Sequence, residues 1–375
     1  MPGEISPLPG ATLKEPVYDS REGKRFEPQT LPFTKEQLVR AEWLKHPDNP
    51  LILPLPHTAN YLADPTWLPP SHTPDGKYHL IAPAGPDLNP VRLVKERAVP
   101  PKLVEFTSED GIKWDFTGKT LVEGATRPYL FHEGDTYYLF YSQVTRFVPG
   151  TKYLDSHIKM ISSKDMQTWS EPTEILRPSK DQNNVVGNPS IVKVNGRYQM
   201  HHSGGKAYLT DCLFTEPESI YVAESDNVQG PYTLRDKPVI TPTDGDPHMN
   251  VGAGSIKVYN TIDGYLVGFQ NTIFKRKRFK TESAIKVIWS KDGIMWEGQE
   301  NEHVITPDRS KHQTFAYACD VRWDEKSGEL RMYYNTRRGR SLGVEEISLA
   351  VAQFPHEIDR QSGEGAIEVP IFEAA

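Results

Sequence analysis

Apolar residues along this chain come in short alternating runs, broken by glycine and proline, and the runs repeat. Segments 61–85, 123–143, 186–204, 252–270 and 318–336 align with one another. Each reads as a short apolar strand, a Gly-containing turn, and a second strand rich in tyrosine, β-branched or aromatic residues. That is the pattern of a β-hairpin. The anchors that open these segments are Asp64, Arg127, Asn188, Ala253 and Cys319, separated by 63, 61, 65 and 66 residues. A second element follows the first four hairpins, at 104–114, 159–169, 221–232 and 286–296. It reads as a strand, a turn set by serine and aspartate, an aromatic residue and another strand. Two hairpins per period make a four-stranded sheet, and a period of this length signals a repeat architecture. The pattern predicts an all-β fold, a five-bladed β-propeller with an N-terminal extension containing one short helix. Radial closure would protect the sheet edges.

The last repeat lacks its own Ser-Asp turn. Its outer strands are expected at 348–354 plus a strand from elsewhere, with 367–372 and 51–55 as candidates for closing the ring. The extension spans 1–48 and the propeller 49–375. Within the extension, 34–46 reads as one helix, capped by Thr34 with Gln37 three residues on. Leu38, Ala41 and Leu44 would form a narrow apolar face. That face suits packing on the propeller or contact between copies in a homo-oligomer.

Composition narrows the picture. The formal net charge of −7 gives no drive toward nucleic acid or an anionic membrane. No apolar run is long enough to span a bilayer. Cys212 and Cys319 are the only cysteines, too few for a disulfide framework. Residues 1–12 show no basic stretch followed by an apolar run, and no glycosylation sequon occurs. These features point to a cytoplasmic protein. Metal-ligand spacings, phosphate loops and dinucleotide fingerprints are absent, so neither a metal nor a cofactor is expected.

Asn49-Pro50-Leu51-Ile52, followed by Ala63-Asp64-Pro65, resembles the opening of family 43 glycoside hydrolases, the arabinanases and xylosidases. Val251-Gly252-Ala253-Gly254-Ser255-Ile256 is similar to a stretch of family 130, the mannoside phosphorylases. The resemblance covers roughly 49–354 and extends to the invertase-like enzymes. It implies a five-bladed propeller with a sugar site at the channel mouth, and Asp64 as the catalytic base. Other positions depart from these families. Family 43 has a second aspartate where this chain has Asn188, and its acid glutamate where this chain has Gly252 and Ala253. Family 130 has its catalytic aspartate where this chain has Arg127.

In a propeller the anchors, the residues just before them and the loops after the second strands surround the mouth. Hydrolysis of a glycosidic bond needs two carboxyl groups across the bond. With Asp64 as base, the acid candidates are Asp246, Asp320 and Glu123, and among histidines His202 and His248. Arg127, Asn188, His248, Asn250, Arg146 and Arg337 are candidates for holding the substrate. The mouth loops are basic: Arg92, Lys95 and Arg97; Arg146 and Lys152; Lys206; the run from Lys275 to Lys280; and Arg337, Arg338 and Arg340. Guanidinium groups suit an anionic substrate. The expectation is a glycosidase that takes a small-molecule or oligosaccharide substrate. The alternatives are a lyase, cyclase or phosphorylase on the same scaffold, or a non-catalytic sugar-binding propeller.

Overall fold

The structure is a computed structural model and describes residues 27–56, 61–85, 101–147, 154–179, 185–276, 280–340 and 343–354. Strands dominate it. In the first unit Tyr61–Leu62 and Thr66–Leu68 pair with Tyr78–Gly85, followed by Lys102–Ser108 and Asp115–Glu123. The second runs Ala125–Glu133, Thr136–Phe147, Leu154–Ser163 and Thr173–Leu176. Next come Val186–Val194, Arg197–Gly204, Ser219–Ser225 and Thr233–Leu234. The fourth holds Gly252–Thr261, Leu266–Arg276, Lys280–Ser290 and Trp296–Glu297. The last holds Gln313–Asp324, Glu329–Arg338 and Val344–Gln353. Within each unit neighbouring strands run antiparallel. The innermost strands touch in sequence, and Gln313–Asp324 returns to touch Thr66–Leu68, so they form a closed cycle. This is the β-propeller arrangement.

The strand that completes the last unit corrects the expectation for the N-terminal segment. The helix starts as predicted: the Gln37 amide donates to Thr34 Oγ1 at 3.2 Å, and the Thr34 amide donates to Gln37 Oε1 at 2.9 Å. It spans only Lys35–Arg40 and ends at Ala41, which is extended. Glu42–Lys45 is a strand, paired antiparallel with Val344–Gln353. Its period is two, with Trp43 buried against Phe269 and Leu44 48% exposed. Helical spacing would have placed Leu44 inward. Completing the sheet satisfies backbone groups that a longer helix would leave open at the edge of the last unit. Leu38 and Ala41 pack into the molecule's own core with Tyr259 and Phe269. Segment 51–55 contributes one bridge, Ile52 to Ile347, rather than a strand. Segment 367–372 lies outside the described residues.

The serine–aspartate turns are structural. In the first, Asp110 Oδ1 accepts from the amides of Ile112 and Lys113, and the Gly111 amide donates to Ser108 Oγ at 2.8 Å. Trp114 and Trp296 donate back to the carbonyls of Gly111 and Gly293. The same carbonyls accept from Tyr333 and His201 of an adjacent unit, so each turn is a rivet between sheets.

The axis is filled by charge. Asp320 is fully buried and accepts from Thr66 Oγ1 at 2.8 Å, the Trp67 amide at 3.1 Å, Tyr259 at 2.5 Å and Arg322 Nη2 at 3.3 Å. Arg322 also donates to the carbonyls of Leu130 and Pro28, the latter from the N-terminal segment at the far end of the axis. Lys257 donates to the Pro189 carbonyl at 2.8 Å and lies over the Tyr129 ring. Burial lowers its ammonium to about 8, against the pull of Asp320 and Asp64.

Candidate active site

The repeat has a function that its sequence only hints at: each innermost strand carries an irregularity at the same place. Register shifts fall between Thr126 and Tyr129, Gly187 and Ser190, Gly252 and Ser255, and Ala316 and Cys319. Two residues there oppose one on the partner strand, which is a β-bulge and re-aims a side chain. Residues 63–65 interrupt the first unit likewise, between its two short inner strands. The equivalent anchors are Asp64, Arg127, Asn188, Ala253 and Tyr317. The fifth anchor therefore sits two residues before Cys319. Asp64, Arg127 and Asn188 adopt left-handed backbone, with φ of 43°, 55° and 52°. A proline follows each, so the bulge leaves no unpaired amide there. In the fourth unit the left-handed residue is Gly254, where a Cβ would collide with the Asn271 carbonyl. Left-handed backbone costs a non-glycine residue roughly 1–2 kcal/mol, and such strain clusters at functional sites.

These bulges surround a cavity of about 120 Å³ at one end of the axis, and Asp64, Arg127, Asn188 and Tyr317 all line it. Neighbouring units are stitched there. The Asp64 amide donates to Asn335 Oδ1 at 3.3 Å and the Asn188 amide to Ser142 Oγ at 3.2 Å. Asn188 Nδ2 donates to Ser203 Oγ at 3.1 Å, and Ser203 Oγ donates to the Gly254 carbonyl at 2.7 Å.

Among the described residues the cavity holds three carboxyl groups, two of which sequence reasoning missed. Glu216 comes from a hairpin, Ala207–Leu209 with Phe214–Glu216, inserted between the second and third strands of the third unit. Glu345 belongs to the outer strand Val344–Gln353. Asp64 accepts from the Tyr61 hydroxyl at 3.2 Å. Burial raises its carboxyl above the ordinary range, opposed by Arg127, by the Tyr61 hydrogen bond and by Lys257. Burial also pushes Glu216 up, to about 7. Arg127 and Arg337 oppose that shift, and the Asp64 carboxylate adds to it. Glu345 is neutralised locally, accepting from Arg337 Nη1 at 2.6 Å and Asn335 Nδ2 at 2.9 Å. Arg337 spends Nε and Nη2 on the Arg340 carbonyl and stacks over Phe214.

The other acid candidates are placed elsewhere. Asp320 is in the buried axial network, because it lies past the bulge and points down the channel. His202 is fully buried opposite the third bulge, stacked on Tyr221 with Nδ1 3.3 Å from the Ser203 carbonyl; burial lowers it to about 4. Asp246 Oδ1 caps the His248 amide at 2.7 Å in a turn. His248 lies against His303, with Nδ1 atoms 3.4 Å apart. Asn250 exchanges hydrogen bonds with the Lys275 backbone. These three do not line the cavity. Glu123 pairs with Lys102 on the surface. Of the substrate candidates, the cavity gathers Arg127, Asn188 and Arg337. Arg146 lies on Thr136–Phe147 and its side chain falls outside the described residues, as do Arg92, Lys95, Arg97 and Lys152. Lys206 lines the cavity. Among the described residues no cluster of three or more His, Cys, Asp or Glu could hold a metal ion. No helix among them is long and apolar enough to cross a membrane.

The comparisons agree with this architecture. Residues 121–264 match the model of glycosyl hydrolases family 43. A glycosyl hydrolase from Bacteroides ovatus is similar at TM-score 0.62 and 16% identity, over 88% of this chain and 97% of that one. A structure from work on family 130 mannoside phosphorylases, which contains glycoside hydrolases targeting β-1,2 mannosidic linkages in Candida mannan, is similar at TM-score 0.60 and 14% identity. It covers 87% of this chain and 97% of that one. A family 117 glycoside hydrolase from the marine bacterium Zobellia galactanivorans is similar at TM-score 0.55 and 13% identity, over 84% and 91%. A comparison with curated protein sequences gives no match. The chain has the propeller fold of these glycoside hydrolases, and its second to fourth units carry a stretch that matches family 43.

Proposed function

We propose that this chain is a five-bladed propeller glycoside hydrolase in which Glu216 is the general acid and Asp64 the general base. The observation that carries the reading is the unequal treatment of two carboxyl groups in one cavity. Glu216 titrates at about 7 and holds a proton near neutrality. Burial raises Asp64 too, but Arg127, the Tyr61 hydrogen bond and Lys257 all oppose that shift and favour its ionised form, whereas the Asp64 charge itself adds to the rise of Glu216. Of two coupled carboxyl groups, the one whose proton is held near neutrality suits the acid and its more readily ionised partner the base. In the reaction Glu216 protonates the leaving glycosidic oxygen, while Asp64 removes a proton from the attacking water. The count of five rests on the closed cycle of inner-strand contacts.

Arg127 supports an anionic substituent on the substrate. Its guanidinium lies near enough to act on both carboxyl groups, yet among the described residues no carboxylate oxygen pairs with it directly. A substrate carboxylate or sulfate would complete its fork. Hydrolysis is favoured over phosphorolysis, because Arg337 is committed to Glu345 and Arg340 and does not add to a phosphate site. The raised Glu216 carboxyl favours an enzyme over a binding module.

The test is turnover of a panel of neutral and uronic-acid glycosides by the wild type, Glu216→Gln and Asp64→Asn. We expect a substrate whose hydrolysis falls at least 100-fold in both variants, and in the wild type an alkaline limb near pH 7 set by the Glu216 proton. Full turnover by Glu216→Gln would refute the assignment.

A further inference from the structure

The hairpin that carries Glu216 is small. Ala207, Tyr208 and Leu209 pair with Glu216, Thr215 and Phe214, a ladder of three pairs. A two-stranded hairpin of this size is marginal alone in water, so its hold on the rest of the molecule decides where Glu216 sits. Leu209 and Cys212 are fully buried with Ile273, Phe315 and Tyr317 of the fourth and fifth units. At the tip, Asp211 Oδ2 accepts from the Thr281 amide at 2.8 Å and from Arg340 Nη1 at 2.6 Å, and Oδ1 accepts from Thr281 Oγ1 at 2.6 Å. Arg340 Nη1 also donates to the Thr281 carbonyl at 2.8 Å.

The bonds continue from there to the other carboxyl. The Arg340 carbonyl accepts from Arg337, Arg337 donates to Glu345, Glu345 accepts from Asn335, and Asn335 Oδ1 accepts from the Asp64 amide. We propose that Asp211 is a positioning residue: its latch to Thr281 and Arg340 fixes the Glu216 hairpin over the mouth, and the bonds beyond it tie that hairpin to the bulge bearing Asp64. This rests on the assignment of Glu216 and Asp64 above. The geometry makes the separation of acid and base a property of one hydrogen-bonded frame drawn from the first, third, fourth and fifth units. A bidentate carboxylate with three donors, one charged, is the strong kind of hydrogen-bonding centre. Misplacement of a catalytic group by about 1 Å can cost 100-fold in rate.

The experiment uses the full chain with Asp211→Asn and Arg340→Gln. Hydrogen exchange by mass spectrometry reads the peptides covering 207–216. Infrared difference titration, each background against its own Glu216→Gln counterpart, reads the Glu216 carboxyl. We expect exchange in 207–216 to rise at least tenfold while the inner strands keep their protection. We expect the Glu216 midpoint to fall by a pH unit or more as the carboxyl leaves its half-buried place in the cavity with Asp64. On a hydrolysed substrate, kcat should fall roughly 10- to 100-fold with little change in KM, and the alkaline limb should follow the midpoint down. Exchange and midpoint both unchanged in these variants would overturn the proposal. So would a loosened hairpin whose midpoint stays put, which would make Asp211 a stability residue alone. Exchange and titration need no substrate, so they decide the latch even if Glu216→Gln shows the catalytic reading to be mistaken. Thr281→Val removes a single latch bond; it must move the midpoint in the same direction by less, and an unmoved midpoint there counts against the latch.

Discussion

Replacing Asp320 by asparagine changes the shape of the side chain very little and removes one charge from the axis. In the wild type its two oxygens receive Thr66, the Trp67 amide, Tyr259 and Arg322, with Arg322 Nε 3.2 Å away as an ion pair. An amide offers one oxygen. If that oxygen keeps the contacts to Thr66 and Trp67, the new NH₂ group faces Arg322, a donor against a donor. Arg322 then remains buried without its counter-charge, and of its two carboxylates Lys257 keeps only the pull of Asp64. Breaking a buried pair in this way costs about 3–5 kcal/mol. An unfolding entropy of roughly 2.1 cal/mol/K per residue over 375 residues is about 0.8 kcal/mol/K, so the melting temperature should fall by roughly 4–6 °C. Circular dichroism melts of the two proteins at the same pH and scan rate measure it. A melting temperature within about 1 °C of the wild type would refute the view that Asp320 balances the buried cations. It would also reopen Asp320 as a candidate for chemistry.

Further predictions concern protons. Tyr61→Phe removes a hydrogen bond that favours ionised Asp64. The Asp64 carboxyl should rise, and the acidic limb of the pH–rate profile should move up by as much as about one pH unit; a limb that stays or moves down contradicts the assignment of Asp64 as base. His201 and His202 are buried and neutral, each lowered by burial from 6.5 to about 4. The unfolded chain therefore binds more protons between pH 4 and 6.5. Stability is complete above pH 6.5 and is lost as pH falls toward 4, by on the order of 3 kcal/mol for each ring. Urea midpoints across that window should decline in the wild type and decline less steeply in His202→Phe; parallel slopes would show that His202 is already solvated.

The repeat was legible because its period is regular and its hairpins carry glycine turns and alternating apolar residues. Asp64, Arg127 and Asn188 could be found because each precedes a proline in an aligned place. The fifth anchor was misplaced by two residues because Tyr317-Ala318 has no proline to mark the bulge. Segment 34–46 has helical spacing over its first half, but its second half answers to a strand 300 residues away, which no local pattern reveals. Glu216 was invisible for a different reason: it lies outside the repeat. The one signal was length. The chain spends fourteen residues between Gly204 and Ser219 where the fourth unit spends three between Arg276 and Lys280. Excess length between adjacent strands at the mouth marks a functional excursion. Asp320 misled because one residue of register separates a side chain aimed into the cavity from one aimed down the axis.

The pairing of Glu42–Lys45 with Val344–Gln353 has a consequence for synthesis. The sheet of the last unit can be completed only after residue 353 has left the ribosome, since a strand made early waits for one made some 300 residues later. Until then the early sheets stand as an open arc, with the third strand of the last unit still to come. Loop-closure entropy over so long a span makes this joining slow relative to the hairpins within each unit. A nascent or truncated chain ending before that strand would hold most of its sheets but lack Glu345 and the partner of Glu42–Lys45, so the cavity would take its full lining only once the last unit is joined.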